Sequence, residues 1–174
     1  FLTSSYVFRT AADAAARFAG ETPGNVYSRY TNPSVRAFEA RLAAMEGAEQ
    51  AVGTSTGTAA ILAVVMSLRS AGDHVLVSQS VFGSTISLFE KYFKRFGVQV
   101  DYVPLVDLGG WEKAIKANTK LLIVESPSNP LAELVDITAL SEIAHARGAM
   151  LVVDNCFSTP ALQQPLKLGA DIVF

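Results

Sequence analysis

The chain has 174 residues, is 50% hydrophobic and carries a formal net charge of −2 at pH 7. This length predicts one substantial core and is short for two typical domains. Lys and Arg are scattered rather than clustered, which argues against a surface that binds nucleic acid or an anionic membrane. The longest apolar run, residues 59–68, is far shorter than the roughly 20 residues of a membrane-spanning helix, and no signal-peptide pattern opens the chain. A small-molecule ligand and a cytoplasmic location are therefore expected.

The N-terminal part of the chain predicts an arm, a turn and one helix. Ala11–Phe18 has Ala-rich helical character, and residues 22–24 read Thr-Pro-Gly, a loop signal. From Pro33 onward, apolar positions recur at helical spacing, with Asn32 as the N-cap and Gly47 as the stop. We expect this second helix to be well defined.

Beyond it, short β-branched runs alternate with amphipathic segments. This alternation is typical of an α/β fold in which a mostly parallel sheet is covered by helices on both faces. The predicted strands are His74–Ser78, 98–103, 121–125, Met150–Asp154 and 171–174. The predicted helices are 57–70, 83–96, 111–116, 136–147 and 160–168.

Small polar residues follow three of the predicted strands. In open α/β sheets, ligands bind outside the carboxyl ends of the strands, so the binding residues are expected in these segments. The segments are residues 78–83, 125–130 and 154–158.

Residues 53–60, Gly-Thr-Ser-Thr-Gly-Thr-Ala-Ala, lead directly into an apolar helix. The first amides of such a helix are unpaired, so Gly57 and Thr58 are candidates for binding a phosphate. An ordinary capped helix, whose hydroxyl groups satisfy its own amides, is the alternative interpretation. The segment matches neither of the glycine-rich nucleotide-binding patterns, which disfavours a Rossmann domain.

Asp154 ends an apolar strand, where a carboxylate needs a cation or several donors to stay ionised. A protonated pyridine nitrogen is one such cation, and a turn-capping aspartate is the alternative. Phe82 precedes Gly83 at another strand end, where its ring could stack on a planar ligand or simply belong to the core. Cys156, the single cysteine, is expected to be a packing residue and suits a reducing compartment.

Tyr27 and Arg29 lie in a loop before a helix, and phenol and guanidinium groups suit phosphate oxygens. A solvated arginine above packed tyrosines is the alternative. His74 and His145 have no further ligands at metal-binding spacing, so both are expected to be structural and no metal site is predicted.

Together these segments resemble the Cys/Met-metabolism family of pyridoxal-phosphate enzymes, which includes cystathionine γ-synthase, the cystathionine lyases and the O-acyl-homoserine sulfhydrylases. The resemblance rests on four motifs in family order and covers nearly the whole chain. The motifs are Tyr27-Ser28-Arg29 with Asn32-Pro33, residues 55–60, residues 125–130 and residues 152–155.

This resemblance implies an aspartate-aminotransferase-like large domain of fold type I with pyridoxal 5'-phosphate as its cofactor. The amides of Gly57 and Thr58 would bind the cofactor phosphate. Asp154 would pair with the pyridine nitrogen, Phe82 would stack on the ring, and Asn129 would lie near the 3-hydroxyl.

The resemblance also implies a homo-oligomer, with a dimer of dimers expected. Residues 1–32 would form an arm and loop that contact a neighbouring subunit, whose phosphate Tyr27 and Arg29 would reach. Residues 33–174 would be an incomplete cofactor domain. The Schiff-base lysine would lie beyond Phe174, so no catalytic residue is assigned within the chain.

The implied activity belongs to methionine biosynthesis and replaces the succinyl group of O-succinylhomoserine with sulfide to give homocysteine. Most relatives have a tyrosine where this chain has Phe82, which disfavours a lyase because the phenol is missing. Two alternatives stay open. One is cystathionine γ-synthase activity, with cysteine in place of sulfide, and the other is a non-catalytic fragment or degenerate subunit.

Overall fold

The computed structural model describes residues 1–174 in two units, Phe1–Gly53 and Thr54–Phe174. The first unit contains the helices α1 (Ala11–Phe18) and α2 (Pro33–Glu46), both as predicted. The side chain of Asn32 accepts the amide of Ser34, and Gly47 ends α2 with a φ of 71°. The sequence predicts a boundary after Asn32, whereas the structure keeps α2 in the N-terminal unit.

The second unit alternates helices with strands, as the sequence predicts. Its elements are α3 (Gly57–Leu68), β1 (His74–Ser78), α4 (Gly83–Lys91), a 3-10 turn (Phe93–Phe96), β2 (Gln99–Val103), α5 (Leu108–Ala114), β3 (Thr119–Glu125), α6 (Ile137–His145), β4 (Met150–Asp154), α7 (Thr159–Leu162), a second 3-10 turn (Pro165–Leu168) and β5 (Ile172–Val173). The strands form one sheet in the order β2-β1-β3-β4-β5, and every adjacent pair is parallel. The predicted α/β fold with a parallel sheet is confirmed.

Apolar clusters cover both faces of the sheet. Side chains of successive strand residues point to opposite faces, so each strand contributes to both clusters. On one face Val75 and Val77 pack in a cluster with Phe89 and Phe93 of the α4 region. On the other face Leu76 packs in a cluster with residues of α5 and α6. Burying each of these large apolar side chains stabilises the fold by about 1.5–3 kcal/mol. The two clusters hold the sheet rigidly and leave its carboxyl edge to the loops.

The helices predicted at 57–70 and 136–147 are slightly shorter in the structure, and three other predicted helices differ more. The segment 83–96 is not one helix, because the chain leaves the helical path at Tyr92 and continues as a 3-10 turn that buries Phe93 fully. The segment 160–168 breaks at the extended residue Gln163, and Pro165 begins the second 3-10 turn. In both places packing or proline overrides the local helical pattern.

The third difference concerns the helix predicted at 111–116. It begins earlier, at Leu108, because the side chain of Asp107 caps it by accepting the amide of Gly110 at 2.9 Å. It ends at Ala114, since Ile115 is extended. Three predicted strands also change slightly, to Gln99–Val103, Thr119–Glu125 and Ile172–Val173. None of the helices is both long enough and apolar enough to cross a membrane.

Candidate functional site

Two acidic residues end adjacent strands at the carboxyl edge of the sheet. The register of β3 and β4 pairs Glu125 with Asp154, and the amide of Ser126 donates to the Asp154 carbonyl at 3.1 Å. Paired residues of neighbouring strands have side chains on the same face. The two carboxylates therefore lie side by side where a ligand of this fold is expected.

Glu125 is buried, with 7% of its surface exposed. Its Oε2 atom accepts the amide of Phe82 at 2.7 Å, and the backbone amide of Asn129 lies near enough to help lower the pKa of this carboxyl. Burial raises the pKa of Glu125 and the nearby charge of Asp154 raises it further, while the two amide donors act in the opposite direction. One carboxylate thus joins the loops that follow β1 and β3.

Asp154 is half-buried and accepts the amide of Cys156 at 3.1 Å through its Oδ1 atom. No Lys, Arg or His forms an ion pair with Asp154 or Glu125. Cys156 is exposed as a residue, but partial desolvation of its sulfur, together with Asp154 and Glu125, raises the pKa of its thiol to about 12. The site therefore has two adjacent carboxylates and no basic side chain of its own, which suits a ligand that carries a positive charge.

Phe82 stands at the entrance of α4, and 53% of its surface is exposed. More than half of the Phe82 side chain is thus open to solvent at the carboxyl edge, and the stacking of its ring on a planar ligand stays a prediction.

The loop after β3 is shaped by its own hydroxyl groups. Ser126 Oγ accepts the amide of Val135 at 3.2 Å, and Ser128 Oγ accepts the amide of Glu133 at 3.1 Å. The Ser80 hydroxyl donates to the Glu133 carboxylate at 3.0 Å, which connects this loop to the one after β1. Within this ordered loop the carboxamide of Asn129 has no hydrogen-bond partner in the protein, so it can bind a ligand oxygen.

The loop after β4 is held by a buried amide pair. Gln163 Nε2 donates to the Ser126 carbonyl at 2.7 Å and to Asn155 Oδ1 at 2.8 Å. The Asn155 side chain donates in return to the Gln163 carbonyl at 2.9 Å. These bonds fix the segment after Asp154 against the loop after β3.

The N-terminus of α3 is the predicted phosphate site. The helix packs on the sheet through Ile61 and Val65, which lie in the same buried cluster as Val75 and Val77. Thr56 caps the helix by accepting the amide of Ala59 at 3.0 Å. The amides of Gly57 and Thr58 are exposed and have no acceptor in the protein. Such amides, at the positive end of a helix, suit a phosphate group.

Tyr27 and Arg29 lie in the N-terminal unit. The Arg29 guanidinium donates to the Tyr30 hydroxyl at 2.9 Å and lies 4.8 Å from the centre of the Tyr30 ring. Its distance to the Tyr27 ring is 5.8 Å. Arg29 has no carboxylate partner, so its charge is free to meet an anion.

Through Glu125, the structure places Phe82, Asn129 and Asp154 at the carboxyl edge of the sheet, and it leaves the amides of Gly57 and Thr58 at the start of α3 without acceptors in the protein. Glu125 is a residue of this site that the sequence analysis does not single out. Glu125 ends a buried strand, as Asp154 does on β4, and this position could have identified it in the sequence as a candidate site residue. Of its amide donors, Asn129 lies in the loop that follows Glu125 itself, whereas Phe82 lies in the loop after β1 and has no local signature.

Comparison with known proteins identifies the family of the chain. A family model described as "Cys/Met metabolism PLP-dependent enzyme" matches residues 1–174. Among curated relatives, O-succinylhomoserine sulfhydrylase of Pseudomonas aeruginosa is 80% identical over 99% of this chain and 43% of its own length. The O-succinylhomoserine sulfhydrylase of Mycobacterium tuberculosis is 46% identical over the same shares of each chain.

A solved structure of similar fold is that of an O-acetylhomoserine (thiol)-lyase from Campylobacter jejuni with N'-pyridoxyl-lysine-5'-monophosphate. It aligns with a TM-score of 0.90 and 35% identity, covering 99% of this chain and 43% of that one. The likeness confirms the predicted fold class. The chain spans 43% of the length of the two curated relatives described above.

Proposed function

Because the chain belongs to the Cys/Met-metabolism family of pyridoxal-phosphate-dependent enzymes, we propose that the complete protein makes homocysteine from O-succinylhomoserine and sulfide. The bond between the γ-carbon and the succinate oxygen breaks, succinate leaves, and sulfide forms a new bond to the same carbon. The observation that carries this choice of reaction is the 80% identity to a relative named O-succinylhomoserine sulfhydrylase. The reaction is a step of methionine biosynthesis.

The donor set of the carboxyl edge fits pyridoxal phosphate. The free amides of Gly57 and Thr58 would bind its phosphate, and the α3 dipole adds about 0.3–1 kcal/mol of favourable interaction. Asp154 would accept a hydrogen bond from the protonated pyridine nitrogen, which is the cation that the two carboxylates lack. When bound, the cofactor supplies a ring that withdraws electrons from the substrate α-carbon.

The remaining residues would orient the ring. Phe82 would lie against it, which contributes about 0.5–1.5 kcal/mol beyond burial. The carboxamide of Asn129 would donate to the 3-hydroxyl oxygen. Phe82 has no acidic group and cannot transfer protons at the substrate carbons. That role is assigned to the Schiff-base lysine outside residues 1–174. None of the described residues is assigned a catalytic role.

The proposal includes an assembly in which the site is shared between subunits. Tyr27 and Arg29 would bind the phosphate of a neighbouring subunit, because Arg29 is exposed and its charge is unpaired. Residues 1–32 would form the contacting arm. A dimer of dimers in the cytoplasm fits this arrangement, since the unpaired Cys156 suits a reducing compartment.

The test is made on the complete protein with O-succinylhomoserine. Purified protein should show the visible absorption of lysine-bound pyridoxal phosphate, and borohydride should fix the cofactor on a lysine outside residues 1–174. Adding substrate and sulfide should then release succinate and homocysteine in equal amounts. A product made only with cysteine would instead indicate cystathionine γ-synthase activity. Failure to bind the cofactor would support a non-catalytic subunit and contradict the proposal.

A further inference from the structure

The role of Glu125 is not explained by the proposed chemistry. A carboxylate that is 7% exposed is costly unless donors stabilise it. Glu125 has no basic partner and is instead stabilised by the amides of Phe82 and Asn129. These two donors belong to the two loops whose side chains are proposed to face the cofactor ring.

The backbone of Phe82 is held on both sides. Its amide donates to Glu125 at 2.7 Å, and its carbonyl accepts the amide of Thr85 at 2.8 Å. No side chain caps α4 at this position. The Phe82 ring is 53% exposed and is not paired with another aromatic ring. The position of the ring therefore depends on the backbone, and the backbone depends on Glu125.

We propose that Glu125 is a positioning residue that fixes the Phe82 ring and the Asn129 segment in one arrangement, ready to receive the cofactor ring. This inference rests on the proposed function, because it assigns a planar ligand to the space beside Phe82. The hydrogen bond spans 43 residues of sequence and joins the loop after β1 to the end of the adjacent strand β3. Its short length and its charged acceptor make it stronger than a bond between neutral groups.

The proposal is tested in the complete protein with Glu125→Gln and Glu125→Ala. The glutamine variant keeps the shape of the side chain but retains one accepting oxygen, so it can satisfy one amide and not both. The alanine variant satisfies neither. Glu133→Gln is the matched control, since it removes a charge from the same pair of loops, its carboxamide oxygen can still accept the Ser80 hydroxyl, and Glu133 does not contact the Phe82 amide.

Two measurements are made on each variant. Hydrogen exchange of the Phe82 amide in the cofactor-free protein should become faster by about tenfold or more in Glu125→Ala, with a smaller change in Glu125→Gln. The circular dichroism of the cofactor band, per bound cofactor, should weaken in the same order because the ring is held less rigidly. Glu133→Gln should match the wild type in both measurements, and exchange at the buried amide of Ile123 should stay constant.

The two proposals can fail separately. Normal cofactor binding with unchanged Phe82 exchange and unchanged dichroism in both Glu125 variants would overturn the positioning role and leave the proposed function intact. A wild-type protein that binds no pyridoxal phosphate would overturn both. If Glu125→Ala does not fold, the nearly isosteric Glu125→Gln still decides the question.

Discussion

Replacement of Asp154 with asparagine is expected to make the Cys156 thiol more reactive. Asp154 contacts Cys156 directly, and Glu125 adds a second negative charge nearby. Burial and these carboxylates raise the pKa of the thiol from 9.0 to about 12. Only the thiolate reacts with an alkylating reagent, so the reaction rate reports the pKa of the thiol. That pKa depends in turn on the two nearby carboxylates.

The size of the effect follows from the ionised fraction. At about pH 8, a thiol whose pKa is about 12 is ionised roughly a thousandfold less than one whose pKa is 9.0. Cys156 is exposed, so solvent screens part of the field. We therefore expect wild-type Cys156 to react about 10–1000-fold more slowly than free cysteine. Asp154→Asn removes one charge but leaves the burial, so the rate should rise by about tenfold.

The assay is alkylation of the cofactor-free complete protein by iodoacetamide, followed by mass spectrometry of the Cys156 peptide as the pH is raised. Glu112→Gln removes an exposed charge on α5 and is the matched control, which should leave the rate unchanged. The reasoning would be refuted if wild-type Cys156 reacted as fast as free cysteine. An unchanged rate in Asp154→Asn would also refute it.

Two further predictions concern stability. Gly97 has a φ of 82°, and an added Cβ would lie 2.9 Å from the Cβ of Ala71, whereas Gly72 has a φ of 92° and open space. Gly97→Ala should lower the free energy of unfolding by about 1–2 kcal/mol through backbone strain, plus a further cost from the clash, and Gly72→Ala should lower it by the strain alone. Urea titration measures both losses, and equal losses in the two variants would contradict this prediction. His74 is fully buried, and burial is the main cause that lowers its pKa below 6.5. The unfolded state therefore binds the proton more readily, so the free energy of unfolding should fall as the pH drops from about 7 to about 5. His74→Gln should flatten this dependence.

The sequence was most informative where a local signal dominates. Asn32, Pro33 and Gly47 mark the ends of α2, and the structure confirms each of them. The strands His74–Ser78 and Met150–Asp154 also have the predicted bounds, since both are continuous apolar runs in the middle of a parallel sheet. Patterns of this kind depend on neighbouring residues in the chain, so they can be recognised in one sequence.

Contacts between distant residues could not be predicted in this way. The break at Tyr92 follows from packing of Phe93 against Phe89, whose ring centres are 4.9 Å apart in the buried cluster. The role of Glu125 likewise depends on an amide 43 residues away. Asp154 was identifiable because it directly follows an apolar strand in a recognisable motif. Glu125 also ends a buried strand, but its pairing with Asp154 is apparent only from the register of β3 and β4.

The most direct test of the account is the protonation state of the pyridine nitrogen in the bound cofactor. The complete protein would be loaded with pyridoxal phosphate labelled with nitrogen-15 in the ring, and nuclear magnetic resonance would be recorded for the wild type and for Asp154→Asn. The account predicts a protonated nitrogen in the wild type and loss of that proton in the variant, because Asp154 supplies the negative charge that holds it. The same protonation state in both proteins would contradict the assignment of Asp154 to the cofactor ring.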